Sequence, residues 1–317
     1  MRQPRRQTRR RFLHTTALFT GGLLFGCHLP SAKGFGHNIS GSMTQNDAPS
    51  GNTRRGNHVR SDTVLVMPDE SAPHERTWMA FVANRQIWAR RQIPAVKRDL
   101  ALIAQTIAKY EPVAMLVSPR DYEAAVTLLG ALGAAAYPVE LIEFTTDDLW
   151  LRDTGPTFVH DRDGQKYGID FNFNGWGNKQ FHRQDAQVAR FITETTGAMR
   201  QSTHLVLEGG CLEVDGQGTA LLTKSSVLND NRNPGRSQDE VETELKRLLG
   251  LRKIIWLEGI RGQDITDGHI DFYARFSKPG EVLVSRENDP NLYDYEVTRA
   301  NINALRNETD ADGNALN

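Results

Sequence analysis

Residues 266–272 read Thr266-Asp267-Gly268-His269-Ile270-Asp271-Phe272. Polar and apolar residues alternate here, and with the aromatic residues that follow, this predicts a β-strand over 265–276. Because strand side chains alternate between faces, Asp267, His269 and Asp271 are expected on one face and Ile270 and Phe272 on the core face. Two acids and an imidazole on one face are typical of a catalytic or metal-binding group. A solvent-exposed polar face has the same pattern, so other parts of the sequence are needed to distinguish the two interpretations.

The charge of the chain is unevenly distributed along its 317 residues. Residues 1–60 hold ten of the 38 Lys and Arg but one of the 39 Asp and Glu, which leaves a net charge of −10 on 61–317. An acidic body argues against nucleic acid as a partner and favours cationic ligands through long-range attraction. The same charge is also ordinary for a soluble surface. The two cysteines, Cys27 and Cys211, are too far apart in sequence to suggest a disulfide framework or a metal-ligand pair.

The first 60 residues are predicted to lie outside the folded domain. Arg9-Arg10-x-Phe12-Leu13 and the apolar run after it resemble a twin-arginine signal, so residues 1–32 are interpreted as a targeting segment. This predicts an exported protein that is periplasmic or anchored on the outer side of the membrane. Leu24-Phe25-Gly26-Cys27 resembles a lipoprotein processing site with a lipid on Cys27, and peptidase cleavage near Ala32 is the alternative. Residues 33–60 are rich in Gly, Ser, Asn and Thr and are predicted to be a disordered linker.

Residues 61–317 are predicted to form one α/β domain of repeated modules. Asp163-Gly164 and Asp215-Gly216 each separate two alternating runs, which predicts two-residue hairpins. The predicted strands are 113–117, 139–144, 205–214, 254–257, 265–276 and 282–285. The predicted helices are one with Pro94 in its first turn, one capped by Ser118, one around 186–195, one over 238–249 with Ser237 as cap and Gly250 as stop, and one around 292–305. This order differs from the steady strand–helix alternation of a Rossmann sheet.

Three further motifs carry residues suited to ligand binding, and each also has a structural interpretation. Residues 147–156 place Asp153 before a Gly-Pro turn at a strand edge, where an Arg152–Asp ion pair could instead steady the turn. Two glycines follow Glu208 and allow close approach of the backbone to a ligand, or else form a bulge. Residues 228–235 form an amide-rich loop whose Asn side chains could serve only to cap the loop.

In this order the motifs resemble the agmatine deiminase family, which includes bacterial peptidylarginine deiminases and belongs to the pentein superfamily. The matching elements are Trp150-x-Arg152-Asp153-x-Gly155-Pro156, Leu207-Glu208-Gly209-Gly210, Leu228-Asn229-x-Asn231-Arg232-Asn233-Pro234, Asp267-Gly268-His269-Ile270-Asp271, and an earlier run from Met67 to Ala80. The resemblance extends from about Val64 to about Arg306 and favours the agmatine branch. It implies a pentein-type pseudo-symmetric αβ propeller with no metal or organic cofactor, acting on a small cationic guanidino substrate.

The resemblance also implies residue roles. Asp153 and Asp271 match the carboxylates that anchor the guanidinium, and His269 matches the general acid and base. Glu208 and Trp150 match residues close to the substrate. The family attacks with a cysteine in a Gly-rich Gly-Ile-His-Cys segment near the C-terminus, and this sequence contains no such segment. The chain is therefore expected to be C-terminally truncated, to lack its last modules and to be inactive.

Cys211 is predicted to be a buried thiol in a strand, on the opposite face from Glu208, and is not nominated as the nucleophile. The leading hypothesis is a hydrolase of polyamine metabolism that converts agmatine and water to N-carbamoylputrescine and ammonia. The alternatives are a guanidinium-binding protein without a nucleophile, and a peptidylarginine or arginine deiminase. A metal-dependent hydrolase using Asp267, His269 and Asp271 would account for one motif but not the others. Assembly into a homo-oligomer is left open.

Overall fold

The computed structural model describes residues 63–317. The predicted signal segment 1–32, the lipid site at Cys27 and the linker 33–60 lie outside the described residues. Within 63–317, none of the helices has the length and apolar character needed to cross a membrane.

The first sheet is parallel and places a helix after each of its first two strands. It consists of β1 (Thr77–Phe81), β2 (Val113–Val117) and β3 (Val139–Glu143), with helices α1 (Ile93–Ile107) and α2 (Tyr122–Ala131) as connections. All five residues of β2 are buried, as expected for the central strand of a covered parallel sheet. The predicted strand 113–117 and the predicted Pro94 in the first turn of α1 are confirmed.

The predicted Ser118 cap is wrong, because α2 begins four residues later, at Tyr122. The amide of Asp121 donates to the carbonyl of Ser118 at 2.9 Å, which closes a turn before the helix starts. The Ser118 hydroxyl donates to the Asp121 carboxylate at 3.3 Å instead of to a helix amide.

Two modules of one topology follow the first sheet. In each, an antiparallel hairpin leads into a helix, which returns to a third strand lying parallel to the second. The first module contains β4 (Thr157–His160), β5 (Lys166–Asp170), α3 (Val188–Thr195) and β6 (Met199–Ser202). The second contains β7 (Glu213–Val214), β8 (Thr219–Thr223), α4 (Gln238–Leu249) and β9 (Lys253–Leu257). The antiparallel hairpin of β10 (Ala274–Lys278) and β11 (Glu281–Val284), followed by α5 (Tyr295–Leu305), repeats the first three elements. The prediction of repeated α/β modules is confirmed.

Both predicted hairpins form, but their loops are longer than two residues. Asp161 bonds Gln165 across one loop, and Asp215 bonds Thr219 across the other. In each loop the aspartate carboxylate accepts amide protons from the second and fourth residues after it, at 2.8–3.0 Å. Asp310 makes the same two bonds in a third loop, at 2.9 and 2.8 Å. This Asp-centred loop is therefore a structural unit that recurs three times in the described part of the chain.

The hydrophobic core links neighbouring units. Ala80 and Leu116 of the first sheet pack with Val188 and Ile192 of α3. In the same way, strand residues Leu221 and Ile255 pack with Leu305 of α5. A helix of one unit therefore covers the sheet of another, and the ends of the strands and the loops beside them carry the polar groups described below.

The predicted strand 265–276 is wrong over most of its length. Asp267 and Gly268 have φ values of 64° and 81°, a left-handed conformation that a continuous strand does not contain. A 3₁₀ turn over Ile270–Phe272 follows, and only β10 is extended. By contrast, α4 begins and ends as predicted, because Ser237 and Glu240 form a reciprocal capping box and Gly250 (φ 70°) ends the helix.

Candidate active site

Three loop segments bring the predicted site residues together. Asp153 lies on a single helical turn, Leu151–Thr154, and not at a strand edge as predicted. Glu208 precedes a 3₁₀ turn at Gly209–Cys211, which interrupts the strand predicted over 205–214. His269 precedes the 3₁₀ turn that contains Asp271.

The side chains of Asp153, His269 and Asp271 converge on Gly210. A Cβ atom added at Gly210 would lie 2.3 Å from Nδ1 of His269 and 2.9 Å from a carboxylate oxygen of each aspartate. No side chain fits there without displacing these groups, so glycine is required for this close approach. Two carboxylates and one imidazole edge therefore share a single small volume, as the sequence predicted for these three residues.

Asp153 is held rigidly by neutral donors. Its Oδ1 accepts the Gly210 amide at 3.1 Å, and its Oδ2 accepts the indole N–H of Trp176 at 3.0 Å. Asp153 is 3% exposed and Trp176 is 1% exposed. Donors of this kind stabilise an ionised carboxylate without neutralising it. Trp176 was missed by sequence reasoning, and its φ of 57° in the Asn174-Gly175-Trp176-Gly177 turn is the local signal of a special role.

The two ring nitrogens of His269 face different partners. Nε2 lies 2.9 Å from Oε2 of Glu208, and Nδ1 lies 3.8 Å from Oδ1 of Asp153, on the Gly210 side. Burial alone would lower the pKa of His269, but the Cys211 sulfur and the carboxylates of Asp153 and Glu208 raise it well above its ordinary value. The raised pKa favours the protonated imidazolium, whose Nδ1 lies on the side of Asp153 and Asp271.

Glu208 belongs to a buried ion cluster behind the imidazole. Its two oxygens accept Nε–H of Arg232, each at 2.9 Å, and Nη1 of Arg232 donates to Asp267 at 2.8 Å. Burial opposes ionisation of Glu208, but the hydrogen bond from His269 and the charge of Arg232 lower its pKa. In the described structure, Glu208 pairs with two side chains of the protein itself, Arg232 and His269. Its predicted contact with the substrate stays a prediction.

Asp267 does not share a face with His269 and Asp271, because its backbone is left-handed. Its carboxylate pairs with Lys179 at 2.5 Å and with Arg232 at 2.8 Å. The trio behind the metal-hydrolase alternative is therefore not assembled as predicted, since Asp267 is engaged by two cations.

The Cys211 thiol lies next to Oε2 of Glu208, the same oxygen that contacts Nε2 of His269. The prediction that it is buried is confirmed, with 0% exposure. The prediction that it points away from Glu208 is wrong, because the 3₁₀ turn brings its thiol to Oε2 of Glu208, where it donates at 3.2 Å. Burial raises the pKa of this thiol. Glu208, Cys211 and His269 place ligand atoms within 4.8 Å of one another, but Arg232 already provides the positive charge there.

The remaining motif residues have structural roles. Arg152 pairs with Glu70, an acid outside its own motif, and the predicted Arg152–Asp pair in the turn stays a prediction. The Asn233 side chain bonds the backbone of Val206 and Val227, and Asn229 bonds the carbonyl of Ser225, so the loop-capping interpretation is confirmed for these two residues. It is wrong for Asn231, whose amide donates to Asp267 at 3.0 Å. Trp150 is half-buried directly before the turn that carries Asp153, and its role at the substrate stays a prediction.

Comparisons with known proteins show which family the chain resembles. The family model for Porphyromonas-type peptidyl-arginine deiminases matches residues 66–317. The agmatine deiminase of Stutzerimonas stutzeri (strain A1501) is 39% identical over 257 residues, covering 79% of this chain and 68% of that protein. The agmatine deiminase of Pseudomonas aeruginosa (strain LESB58) is 39% identical over 256 residues, with the same coverage of 79% and 68%. Among solved structures, an agmatine deiminase of Enterococcus faecalis superposes with a TM-score of 0.73 at 33% identity, covering 80% of this chain and 69% of that one.

The matched residues 66–317 include each segment that contributes to the site, from the turn of Asp153 to the turn of Asp271. The family resemblance stated from the motifs is therefore confirmed. The chain belongs to the Porphyromonas-type peptidyl-arginine deiminase family.

Proposed function

We propose that this protein acts on agmatine, holding its guanidinium group between Asp153 and Asp271. The observation that carries this proposal is the convergence of both carboxylates and Nδ1 of His269 around Gly210. A guanidinium is planar and permanently charged, and carboxylates match its donors better than any other side chain does. Each charge-assisted hydrogen bond contributes about 1.5–3 kcal/mol to binding.

The chemistry proposed is hydrolysis of the guanidinium carbon. Water supplies an oxygen to that carbon, one C–N bond breaks, and the nitrogen leaves as ammonia, giving N-carbamoylputrescine. His269 is suited to protonate the departing nitrogen, because its imidazolium faces the carboxylate pair. In the family the first attack comes from a cysteine thiolate, which forms a covalent bond to the carbon before water releases it.

We further propose that the 317-residue chain binds agmatine without turning it over. The Cys211 thiol lies next to Glu208 with a raised pKa, and Cys27 lies in the predicted signal segment. Neither thiol is suited to attack a carbon held at Gly210. This proposal is equivalent to the alternative of a guanidinium-binding protein, which requires the same two carboxylates and no nucleophile.

The test is calorimetry with agmatine together with an ammonia-release assay. Agmatine is expected to bind, while putrescine, which carries an amine in place of the guanidinium, is not. Asp153→Asn is expected to weaken agmatine binding by about 1.5–3 kcal/mol, roughly ten- to a hundredfold in Kd.

Absence of heat and of a thermal shift with agmatine would refute the proposal. Ammonia release that disappears in Cys211→Ala would identify Cys211 as the nucleophile. Tighter binding of arginine or of an arginyl peptide would favour the other deiminase activities.

We infer that the modules are arranged as in the pentein propeller, around a central site. Support comes from the two modules of one topology, from the Asp-centred loop that recurs at Asp161, Asp215 and Asp310, and from helices that cover sheets of other units. A crystal structure of the chain in which these modules do not share a common axis would contradict this inference.

We also propose export through the twin-arginine signal in residues 1–32. The support is the Arg9-Arg10-x-Phe12-Leu13 pattern with its apolar run. Replacing Arg9 and Arg10 by lysine is expected to retain the protein in the cytoplasmic fraction of cells that express it. Export that persists in this variant would refute the proposed twin-arginine signal. Incorporation of a fatty-acid probe at Cys27 would support a lipid anchor at that residue.

A further inference from the structure

Arg232 lies at the centre of the buried cluster behind the catalytic imidazole. Its side chain has 0% exposure, as do those of Glu208 and His269. Its Nε–H bonds both oxygens of Glu208, and one of these oxygens holds Nε2 of His269 at 2.9 Å. We propose that Arg232 is a positioning residue, which fixes the Glu208–His269 pair so that Nδ1 of His269 faces Asp153 and Asp271.

Arg232 also holds the backbone turn that leads to His269. Its Nη1 donates to Asp267 at 2.8 Å, and its Nη2 donates to the carbonyl of Thr266 at 3.0 Å. The Thr266 hydroxyl in turn accepts the backbone amide of His269 at 3.2 Å. The guanidinium therefore controls His269 from two directions, through the side-chain carboxylate beyond Nε2 and through the turn that carries its backbone.

This role requires the shape of arginine as well as its charge. The contacts to Glu208, Asp267 and Thr266 come from three different nitrogens of one planar group. A lysine at position 232 supplies the charge from a single nitrogen and cannot reach all three acceptors at once. The buried cluster also alternates in sign from Lys179 through Asp267, Arg232 and Glu208 to His269, so each charge is compensated by its neighbours.

The experiment compares the full chain with Arg232→Lys by NMR of ¹⁵N-labelled histidine. In the wild-type protein, the Nε2 proton of His269 is expected to exchange slowly with water, because the carboxylate of Glu208 accepts it in a buried site. In Arg232→Lys, its exchange is expected to be at least tenfold faster at temperatures where circular dichroism shows the chain folded. The matched control is Arg299→Lys. That half-buried arginine stacks on Tyr295 and donates to carbonyl groups outside the site, so it should leave His269 unchanged.

The second readout rests on the proposed function and is the Kd for agmatine. It is expected to rise at least tenfold in Arg232→Lys and to stay within twofold in Arg299→Lys. If the wild-type chain binds no agmatine but the exchange difference is observed, the proposed function fails and the positioning role stands. A folded Arg232→Lys protein with unchanged Nε2 exchange would overturn the positioning role.

A second variant covers the case in which Arg232→Lys does not fold. Asp267→Asn keeps Arg232 and its contact with Glu208 but removes the charge that holds Nη1. Faster exchange of the His269 Nε2 proton is expected in this variant as well. Unchanged exchange would show that the turn does not transmit the position of Arg232, and would refute the two-direction arrangement.

Discussion

Replacing Glu208 by glutamine removes the charge shared by Arg232, His269 and Cys211. The carboxylate is fully buried and accepts hydrogen bonds from all three partners, at 2.9, 2.9 and 3.2 Å. Glutamine keeps one acceptor oxygen, but its amide group would place a donor against another donor. Breaking one partner of a buried ion pair costs about 3–5 kcal/mol, because the remaining charge stays buried without compensation. For a domain of this size that is a fall in Tm of roughly 6–20 °C.

The cost is expected to depend on pH in a specific direction. The folded pKa of His269 is raised, so its contribution to stability is present below its unfolded pKa of about 6.5 and is lost as pH rises through the folded value. The folded pKa of Glu208 is lowered, so its contribution is present above about 4.5 and is lost as pH falls. The stability that the Glu208–His269 ion pair contributes is thus fully present between about pH 4.5 and 6.5. The penalty of Glu208→Gln should be largest in that window and should decline toward alkaline pH, where His269 is neutral and the contacts with Arg232 and Cys211 remain.

Urea unfolding at several pH values measures this penalty. Glu213→Gln is the matched control, because Glu213 is a buried acid (1% exposed) paired with Arg275 at 2.6 Å and has no histidine partner in the described structure. Burial raises the pKa of Glu213, so its penalty should fall only as pH rises through the pKa of its own carboxyl and should not decline further at alkaline pH. A penalty for Glu208→Gln that is independent of pH, or an equal alkaline decline in Glu213→Gln, would show that Glu208 does not stabilise an imidazolium at His269.

Two further predictions concern other parts of the chain. Gly210→Ala introduces a Cβ 2.3 Å from Nδ1 of His269, so agmatine affinity should fall at least tenfold, with a stability loss of about 1–3 kcal/mol from overpacking. Calorimetry and urea unfolding measure the two effects, and an unchanged Kd would contradict the convergence at Gly210. Burial next to Asp147 and Asp148 raises the pKa of Asp185 to about 7, so ionising this carboxyl costs stability as pH rises from about 4 toward 7. As pH rises from 5 to 8, the free energy of unfolding of Asp185→Asn should therefore increase by up to about 3 kcal/mol relative to that of the wild-type protein. Parallel plots of unfolding free energy against pH for the two proteins would refute this prediction.

The elements that local chemistry determines could be predicted from the sequence. The capping box of Ser237 and Glu240 with Gly250 defines α4, because all of its contacts fall within one stretch of 14 residues. The two Asp-Gly pairs predict hairpins, although the longer loop depends on a carboxylate that bonds amides two and four residues away. The resemblance of the ordered motifs to the agmatine deiminase family implies that Asp153, His269 and Asp271 form one site before any contact between them is known.

The conformation of residues 266–272 could not be predicted without the tertiary structure. Its alternating pattern predicts a strand, but Asp267 takes a left-handed conformation because Arg232, Lys179 and Asn231 hold its carboxylate from other parts of the chain. Local propensity contains no information about partners that are 35 or more residues away in sequence, such as Arg232.

The sequence by itself determined the family, the order of the modules and the identity of the three converging residues, because short motifs and turn chemistry are properties of neighbouring residues. Only the tertiary structure decided which edge of His269 faces the carboxylates, where the Cys211 thiol lies, and that Arg232 and Trp176 hold the site. These depend on buried charges and hydrogen bonds between segments that meet only after folding, where the loss of hydration makes each partner necessary.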